Sequence, residues 1–365
     1  MVSAVVLILR LAGRWTISLY RLLVLLMLMP LSACVVASPE NCLEVVLTGT
    51  QGGPPAVNGL AGAGTLVRYG SVANQCNDVL LQFDTGRGTT QRLSELGVAP
   101  NDLDAVFLTH IHSDHAEGLA SLMQLRWHYL GSPLDLICSE DVEVSERTMS
   151  CRAFAEHIGD AFVEAGEIAQ RIAENNKRHS DGPSGLVRFH GVNQTAADSG
   201  AMVVWSSGDV TVKAVTTTHI AGSLAFRVDT PAGSVVIGGD AGNSKSAPPR
   251  VTSTSESVEA LAEGAKILVH SAMHPAFAPG AGSDFPSLTY YRQSTVADLG
   301  AMSQRAGIEH LVLTHLIPAL DTDFHGSVAI PGGPLEPKDF EKIAKESGFD
   351  GEIHVGRDLL SIRLH

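Results

Sequence analysis

The sequence lacks several features that would assign it to a common protein class. No uninterrupted apolar run reaches the roughly 20 residues that a membrane-spanning helix needs. No two of the five cysteines stand in the C-x-x-C spacing of a zinc ribbon or a thiol redox site, so any metal must be held by histidine and carboxylate. No Pro/Ser-rich linker divides the 365 residues, which favours one large domain.

Positive charge is also scarce. Asp and Glu outnumber Lys and Arg by 39 to 25, which gives a formal charge of −14. A strongly acidic surface repels phosphate backbones, and the basic stripe typical of nucleic-acid-binding proteins is missing. The small cluster Lys177-Arg178-His179 is better explained as the end of a helix, where cations complement the helix dipole. Composition therefore favours a small-molecule substrate over nucleic acid.

The first 33 residues carry three arginines and no acidic residue. An apolar stretch over 22–29 precedes Leu31-Ser32-Ala33-Cys34, and this order resembles a bacterial lipoprotein signal with its lipobox. We therefore expect a signal peptide over residues 1–33 and a lipid anchor on Cys34. A short tether over 34–42 would follow.

This signal predicts a lipoprotein anchored on the periplasmic side of a bacterial envelope. The alternative is cleavage after Val35-Val36-Ala37, which would discard Cys34 and release a soluble periplasmic protein. Either way four cysteines remain, an even number that can pair completely in an oxidising compartment. The favoured pairs are Cys42 with Cys76 and Cys138 with Cys151, and the alternative is buried free thiols.

Four residues able to bind a metal follow the strand-like run 105–108. They form an H-x-H-x-D-H motif of His110, His112, Asp114 and His115. A single histidine in a polar turn is usually exposed or hydrogen-bonded, but four such side chains at this spacing, in a turn from strand to helix, can face one cavity. Imidazole and carboxylate suit zinc and related ions, so the motif predicts a site for two metals.

Three further candidate ligands stand where later strand-like runs meet loops. His219 follows 212–218, Asp240 follows 234–239, and His315 follows 311–314. A pair of metals needs ligands from outside one loop, and these positions can supply them.

These motifs resemble the metallo-β-lactamase superfamily, and in particular its ribonuclease Z-like branch, over about residues 43–365. The segments that carry the resemblance are 47–54, 83–88, 110–115, 219–228, 238–240, 269–270 and 313–315. The resemblance implies an α/β fold, a four-layer αββα sandwich of two mixed sheets covered by helices. It also implies a hydrolase that uses two divalent metals, zinc above manganese or iron.

The resemblance further implies how the ligands divide. One metal would be held by residues matching His110, His112 and His219, and the second by those matching Asp114, His115 and His315. The carboxylate matching Asp240 would bridge both metals. Such a pair holds a bridging hydroxide and polarises an ester, lactam or phosphoryl oxygen.

Three other side chains receive roles. Asp114 is the candidate acid/base, because its second oxygen can orient the hydroxide or accept its proton. Asp84 is expected to support the site through a hydrogen bond to a ligand imidazole or to the H-x-H loop; the alternative is an ordinary turn aspartate. His270 is a candidate catalytic residue, with a structural histidine as the alternative, and the same holds for His274.

Two departures from the branch bear on the substrate. The tRNA-processing members carry an H-S-T motif whose histidine helps protonate the leaving group, where this chain has Gln293-Ser294-Thr295. They also carry His-Glu where this chain has His270-Ser271. An amide cannot shuttle a proton, so tRNA processing is not expected.

Residues 140–180 form the main helical insertion. Apolar residues recur there at helical spacing, at positions such as Phe154, Ile158, Phe162 and Ile168. The insertion is either an amphipathic helix packed on the core or an exposed element. As an exposed element it would serve as a substrate cap or as the contact surface of a homodimer. The last predicted helix covers 295–306 and the last predicted strand 310–315.

The expected function is that of an exported, zinc-dependent hydrolase of phosphodiester or related small-molecule ester bonds. A β-lactamase or lactonase of the same fold is the alternative within the enzymes. A non-catalytic metal-binding lipoprotein is the alternative of another class, because the branch's proton-donating histidine is missing.

Overall fold

Two seven-stranded sheets make up most of the computed structural model, which describes residues 40–175 and 177–365. The first sheet contains β1 (Asn41–Gly49), β2 (Gly64–Ser71), β3 (Val79–Phe83), β4 (Ala105–Phe107), β5 (Leu134–Ser139), β8 (Val187–Val192) and β18 (Ser361–Leu364). Its order is β18-β1-β2-β3-β4-β5-β8. Strands β18 to β3 pair antiparallel, and β3 to β8 pair parallel.

The second sheet repeats this plan. It contains β9 (Met202–Ser207), β10 (Val210–Thr216), β11 (Leu224–Thr230), β12 (Gly233–Ile237), β13 (Ile267–Met273), β14 (His310–Ile317) and β17 (Glu352–Val355), in the order β17-β14-β13-β12-β11-β10-β9. Strands β9 to β12 are antiparallel, and β12 to β17 are parallel. Two short hairpins complete the strands: β6 (Val142–Val144) with β7 (Arg147–Met149), and β15 (Phe324–His325) with β16 (Val328–Ala329).

Alternation along the strands builds the core between the sheets. In β1, Leu43, Val45 and Leu47 belong to the central cluster, whereas Val46 packs on the outer face. Strands with both faces buried read as continuous apolar runs, which is why the sequence shows them so clearly. Phe83 and Phe107 stack with ring centroids 4.6 Å apart at the ends of β3 and β4. Burial of each such ring contributes about 1.5–3 kcal/mol, so these strand ends are firmly held.

Helices cover both outer faces. They are α1 (Thr89–Glu95), α2 (Ser113–Ala116), α3 (Leu119–His128), α4 (Cys151–Glu164), α5 (Ile168–Glu174), α6 (Gln194–Asp198), α7 (Glu256–Ala262), α8 (Ser287–Tyr291), α9 (Val296–Ala306) and α10 (Pro337–Glu346). Apolar residues of α1, α3 and α4 pack on the first sheet, and those of α7, α9 and α10 pack on the second. The predicted four-layer αββα sandwich is confirmed.

Several boundaries differ from the prediction. Asn41 and Cys42, placed in the tether, already belong to β1, because Asn41 pairs with Ser71 of β2. The sequence did not show β8, β17, β18 or α10, which the structure adds after the last predicted elements and at the edges of the sheets. The predicted signal peptide and Cys34 lie outside the described residues. Within residues 40–175 and 177–365, no helix is long and apolar enough to cross a membrane.

The helical insertion packs on the core. In α4, Cys151 and Ala155 are buried against the first sheet, while Phe162 joins a cluster around Trp127 and Ile168. Disulfide bonds join Cys42 to Cys76 and Cys138 to Cys151, the pairs that their spacing favoured. The first bond ties β1 to the β2–β3 turn, and the second ties α4 to the end of β5.

Candidate metal centre

The H-x-H-x-D-H motif lies at the carboxyl end of β4, where the chain turns into α2. His110 follows the strand, His112 caps the helix, and the first turn of α2 carries Asp114 and His115. His219 follows β10, Asp240 follows β12, and His315 stands near the end of β14. The structure therefore brings all seven predicted ligands to one edge of the two sheets.

Three histidines form the first group. His110 Nε2 lies 3.0 Å from His112 Nδ1, and His219 Nε2 lies 3.3 Å from the same Nδ1 atom. His110 is buried, and the other two rings are partly exposed at the edge of the cleft.

A second group consists of Asp114, His115 and His315, all buried. His315 Nε2 lies 3.1 Å from Asp114 Oδ2, and His115 Nε2 lies 3.6 Å from it. Asp240 stands between the groups: its Oδ1 is 3.5 Å from His115 Nε2, and its Oδ2 is 3.3 Å from His315 Nε2 and 3.7 Å from His219 Nε2. This is the position that the resemblance implies for a bridging carboxylate.

The donor atoms fit divalent metals. Two ligands at ordinary zinc distances, in tetrahedral geometry, are about 3.3 Å apart, and the separations above range from 3.0 to 3.7 Å. Among the described residues, His115 Nε2 and Asp240 Oδ1 are also buried without a hydrogen-bond partner. A buried polar atom without a hydrogen-bond partner lowers the stability of the folded protein unless another group binds it. A bound cation would satisfy both atoms.

Asp84 forms hydrogen bonds with His115 and with the H-x-H loop. Its Oδ2 accepts a hydrogen bond from His115 Nδ1 at 2.8 Å, and its Oδ1 accepts one from the backbone N–H of Thr109 at 2.7 Å. The Thr109 hydroxyl, which the sequence did not single out, contacts Asp84 and His110 Nδ1. The carboxylate thus orients the His115 ring so that Nε2 faces the other ligands.

We expect Asp84→Asn to weaken metal binding by about 10- to 100-fold, because loss of a partner that orients a ligand typically costs this much. Metal content after dialysis against graded chelator measures the effect. Asp104→Asn is the control, since Asp104 accepts a backbone hydrogen bond from Leu80 at the start of β3, away from the metal centre. Equal metal loss in both variants would show that Asp84 acts only on strand pairing.

Burial and neighbouring charges shift the pKa values of the candidate ligands. Burial raises the pKa of Asp114, but the hydrogen bond from His315 and the charge on His115 outweigh it and lower the pKa to about 2. Burial, together with the neighbouring histidines, outweighs the opposing charge of Asp240 and lowers the pKa of His219 to about 4. Asp114 is therefore ionised and His219 neutral at pH 7, which are the forms that bind metals.

Two glycines allow the loop after β12 to reach the centre. A Cβ at Gly238 would lie 2.2 Å from His270 Cδ2, and Gly239 has a φ of +58°, with Thr109 under 3 Å from any added Cβ. Because only glycine fits both restrictions, Asp240 can sit directly beside the H-x-H loop.

His270 is buried and does not line the cleft above the ligands. Its Nδ1 donates to the Ser271 carbonyl oxygen at 2.8 Å, and burial lowers its pKa to about 4. These features fit the structural alternative for His270, and its catalytic role stays a prediction. His274 caps the turn 275–277 and lies over Phe340.

Gln293 lies at the centre instead. Its amide nitrogen donates to Asp240 Oδ2 at 3.3 Å, and its amide oxygen accepts from the Ser271 hydroxyl at 3.3 Å. The two departures from the branch motifs, at Gln293 and Ser271, are therefore in direct contact. They form a neutral hydrogen-bonded pair.

A cleft of about 260 Å³ opens over these ligands. Its walls come from the β1–β2 connection, the H-x-H loop and the segment before α9, and include Pro54, His112, Asp114, Arg292 and Ile317. Among the described lining residues, Arg292 is the only Lys or Arg. The sequence did not identify it as a site residue. In a chain of net charge −14, it gives the cleft a local attraction for anions.

Comparison with known proteins yields relatives over nearly the whole chain. A protein named ribonuclease Z from Mycobacterium bovis (strain BCG / Pasteur 1173P2) is 28% identical over 330 residues, which cover 88% of this chain and 99% of that protein. A family model described as Anti-Pycsar protein Apyc1 matches residues 66–157, a span that includes the H-x-H-x-D-H motif.

Solved structures show the same fold. The metallo-β-lactamase fold protein YhfI from Bacillus subtilis aligns with a TM-score of 0.56 and 19% identity, over 89% of this chain and all of that chain. The human tRNase Z, short form, aligns with a TM-score of 0.57 and 17% identity, over 87% of this chain and 98% of that chain. These likenesses establish the fold, and the relatives in sequence agree with the branch that the motifs indicated.

Proposed function

We propose that this chain, a metallo-β-lactamase-fold protein similar in sequence to ribonuclease Z, is a metal-dependent hydrolase of phosphodiester bonds. One observation carries the proposal: seven histidine and aspartate side chains, from four separate parts of the chain, place their donor atoms 3.0 to 3.7 Å apart beneath an open cleft. So many converging ligands exceed what one tetrahedral ion can use.

Two divalent ions, zinc in preference to manganese or iron, would supply the Lewis acidity and the activated water that such hydrolysis requires. The groups His110/His112/His219 and Asp114/His115/His315 would hold them, with Asp240 shared. Asp114 lines the cleft and is ionised, so its carboxylate can orient the attacking water or accept its proton. Arg292 would bind a non-reacting oxygen of the phosphodiester.

The similarity to proteins named ribonuclease Z opposes the earlier inference from charge that nucleic acid is not a partner. The chain remains acidic, and the cleft holds one arginine among its described lining residues rather than a basic stripe. We therefore propose the phosphodiester bond as the substrate class, with RNA included among the compounds to be tested.

Gln293 restricts the leaving group. It stands in the segment that resembles the branch's H-S-T motif, and it contacts Asp240 and Ser271 by neutral side-chain amide hydrogen bonds. His270 and His274 do not line the cleft. Alcohols of low pKa, which leave without protonation, are therefore the expected leaving groups.

A panel of chromogenic substrates tests the proposal. The metallated protein should hydrolyse nitrophenyl phosphodiesters, and a chelator should abolish this turnover. Sulfate ester, lactone, cephalosporin and an RNA with a 3′ extension are run beside them at equal concentration. Chelator-sensitive turnover of the cephalosporin or lactone alone would replace this proposal with the β-lactamase or lactonase alternative. No turnover by fully metallated protein would favour the non-catalytic one.

Export is a separate proposal. The composition of residues 1–33 and the Leu31-Ser32-Ala33-Cys34 motif support a signal with a lipid anchor on Cys34. The two disulfide bonds are consistent with an oxidising compartment. Labelled palmitate should enter the wild-type protein but not Cys34→Ser, and its absence from the wild type would contradict the anchor.

A further inference from the structure

A second cluster of ligand-type side chains lies at the outer edge of the second sheet. His310 begins β14 and Glu352 begins β17, and the two residues are paired in the parallel register. His354 follows two residues after Glu352, so it projects to the same face of the strand. Strand pairing thus places two imidazoles and one carboxylate together without any loop.

We propose that His310, Glu352 and His354 form a peripheral binding site for a zinc-class divalent cation. His310 Nδ1 lies 3.2 Å from His354 Nε2 and 3.4 Å from Glu352 Oε2, and His354 Nε2 lies 3.7 Å from that oxygen. These separations match those of ligands around one tetrahedral ion, about 3.3 Å. Two histidines and one glutamate are also a donor set found on zinc in proteins, with a fourth position open to water.

The surroundings allow binding. The two imidazole side chains are 18% and 22% exposed, so the strands hold them in place, while Glu352 is 71% exposed and free to move toward an ion. Burial, together with the neighbouring His310, lowers the pKa of His354 and favours the neutral ring that binds metals. The cluster is separate from the central site, because His310 and His315 are five residues apart on β14, about 16 Å along an extended strand.

A cation at this position would join β14 to β17, the strand at the edge of the sheet. Since β14 carries His315 at its other end, the ion would stabilise a strand on which the central site depends. Any ligand that binds only the folded state raises the apparent stability, so the thermal midpoint should rise with zinc through this site as well as through the centre.

Zinc titration of the full chain against a chromogenic chelator tests the proposal. The wild type should bind one more zinc equivalent than His354→Gln or His310→Gln, and the zinc-dependent rise in thermal midpoint should be smaller in both variants. Glu352→Gln changes an exposed side chain, so the protein should stay folded. It should weaken binding of this additional zinc ion. His190→Gln is the matched control, because His190 is a strand histidine paired with Asp135 beside Arg188, whose charge disfavours a cation.

Hydrolysis of nitrophenyl phosphodiesters should be unchanged in His354→Gln, so the result does not depend on the activity proposed above. Equal zinc content in the wild type, His354→Gln and His310→Gln would overturn the peripheral site. Loss of the same equivalent in His190→Gln would also overturn it, since zinc would then be bound by surface histidines without selection.

Discussion

Asp240→Ala is expected to lower metal occupancy at both positions of the central site and to reduce hydrolysis by at least about 10³-fold. The reason is geometric, because Asp240 Oδ2 lies near both His219 of the first group and His315 of the second, while Oδ1 lies near His115 of the second. Removal of one carboxylate therefore takes a donor from each group and leaves His115 and His315 close together with less compensating negative charge. Metal analysis and turnover of a nitrophenyl phosphodiester, measured on the same preparation, check both effects.

Asp229→Ala is the matched control for this change. Asp229 lies on β11 in ion pairs with Lys213 and Arg227, away from the cleft, so its loss should leave metal content and turnover near the wild-type values. Retention of full metal content in Asp240→Ala would show that the carboxylate does not bridge. Loss of only one ion would assign Asp240 to a single position.

Gln293→His is expected to accelerate hydrolysis of phosphodiesters with poor leaving groups by about 10²-fold, the usual scale of general acid catalysis. Esters of nitrophenol should gain little, because their leaving group needs no proton. The paired change Ser271→Glu should add to the gain, since Ser271 contacts Gln293 and a carboxylate there would orient and charge the new imidazole. The measurement is the slope of log(kcat/KM) against leaving-group pKa.

Gln293→Asn is the control, because it keeps an amide and adds no acid. A flatter slope in Gln293→His than in Gln293→Asn is the expected outcome. An equal response in the two variants would mean that the amide of Gln293 restricts access or holds Asp240, and that leaving-group protonation is not limiting. Gln293 donates a hydrogen bond to Asp240, so either substitution could also change metal binding. The metal content of both variants is therefore measured as a second readout.

The sequence could predict those parts of the site that leave a pattern among neighbouring residues of the chain. The H-x-H-x-D-H motif is readable because four ligands lie in one turn between β4 and α2. His219, Asp240 and His315 could be found because each ends an apolar run typical of a buried strand. The two-sheet architecture follows from the same runs, because a strand buried on both faces loses the alternation of a surface strand.

The remaining parts depend on contacts between distant segments. Asp84 supports His115 only because its backbone adopts a φ of +52° at the end of β3, a conformation that aspartate tolerates but that spacing does not reveal. Whether His270 or Gln293 faces the cleft depends on the crossing of β13 with the segment before α9. The sequence offered His270 as either a catalytic or a structural residue, and in the structure Gln293 lines the cleft whereas His270 does not.

The edges of the sheets were the least visible in the sequence. β17 and β18 are four residues each and partly exposed, so neither shows a long apolar run. Their identity as strands follows from pairing with β14 and β1, which cannot be read locally. The cluster of His310, Glu352 and His354 was hidden for the same reason, since its three members meet only through the β14–β17 register.

Anomalous X-ray scattering at the zinc absorption edge, from crystals of the zinc-loaded protein, tests the central claim most directly. Two strong peaks should lie beneath the cleft, about 3.5–4 Å apart, one among His110, His112 and His219 and one among Asp114, His115 and His315. Asp240 should contact both peaks. A single peak at the centre under saturating zinc, or no peak within reach of these seven residues, would contradict the binuclear hydrolase.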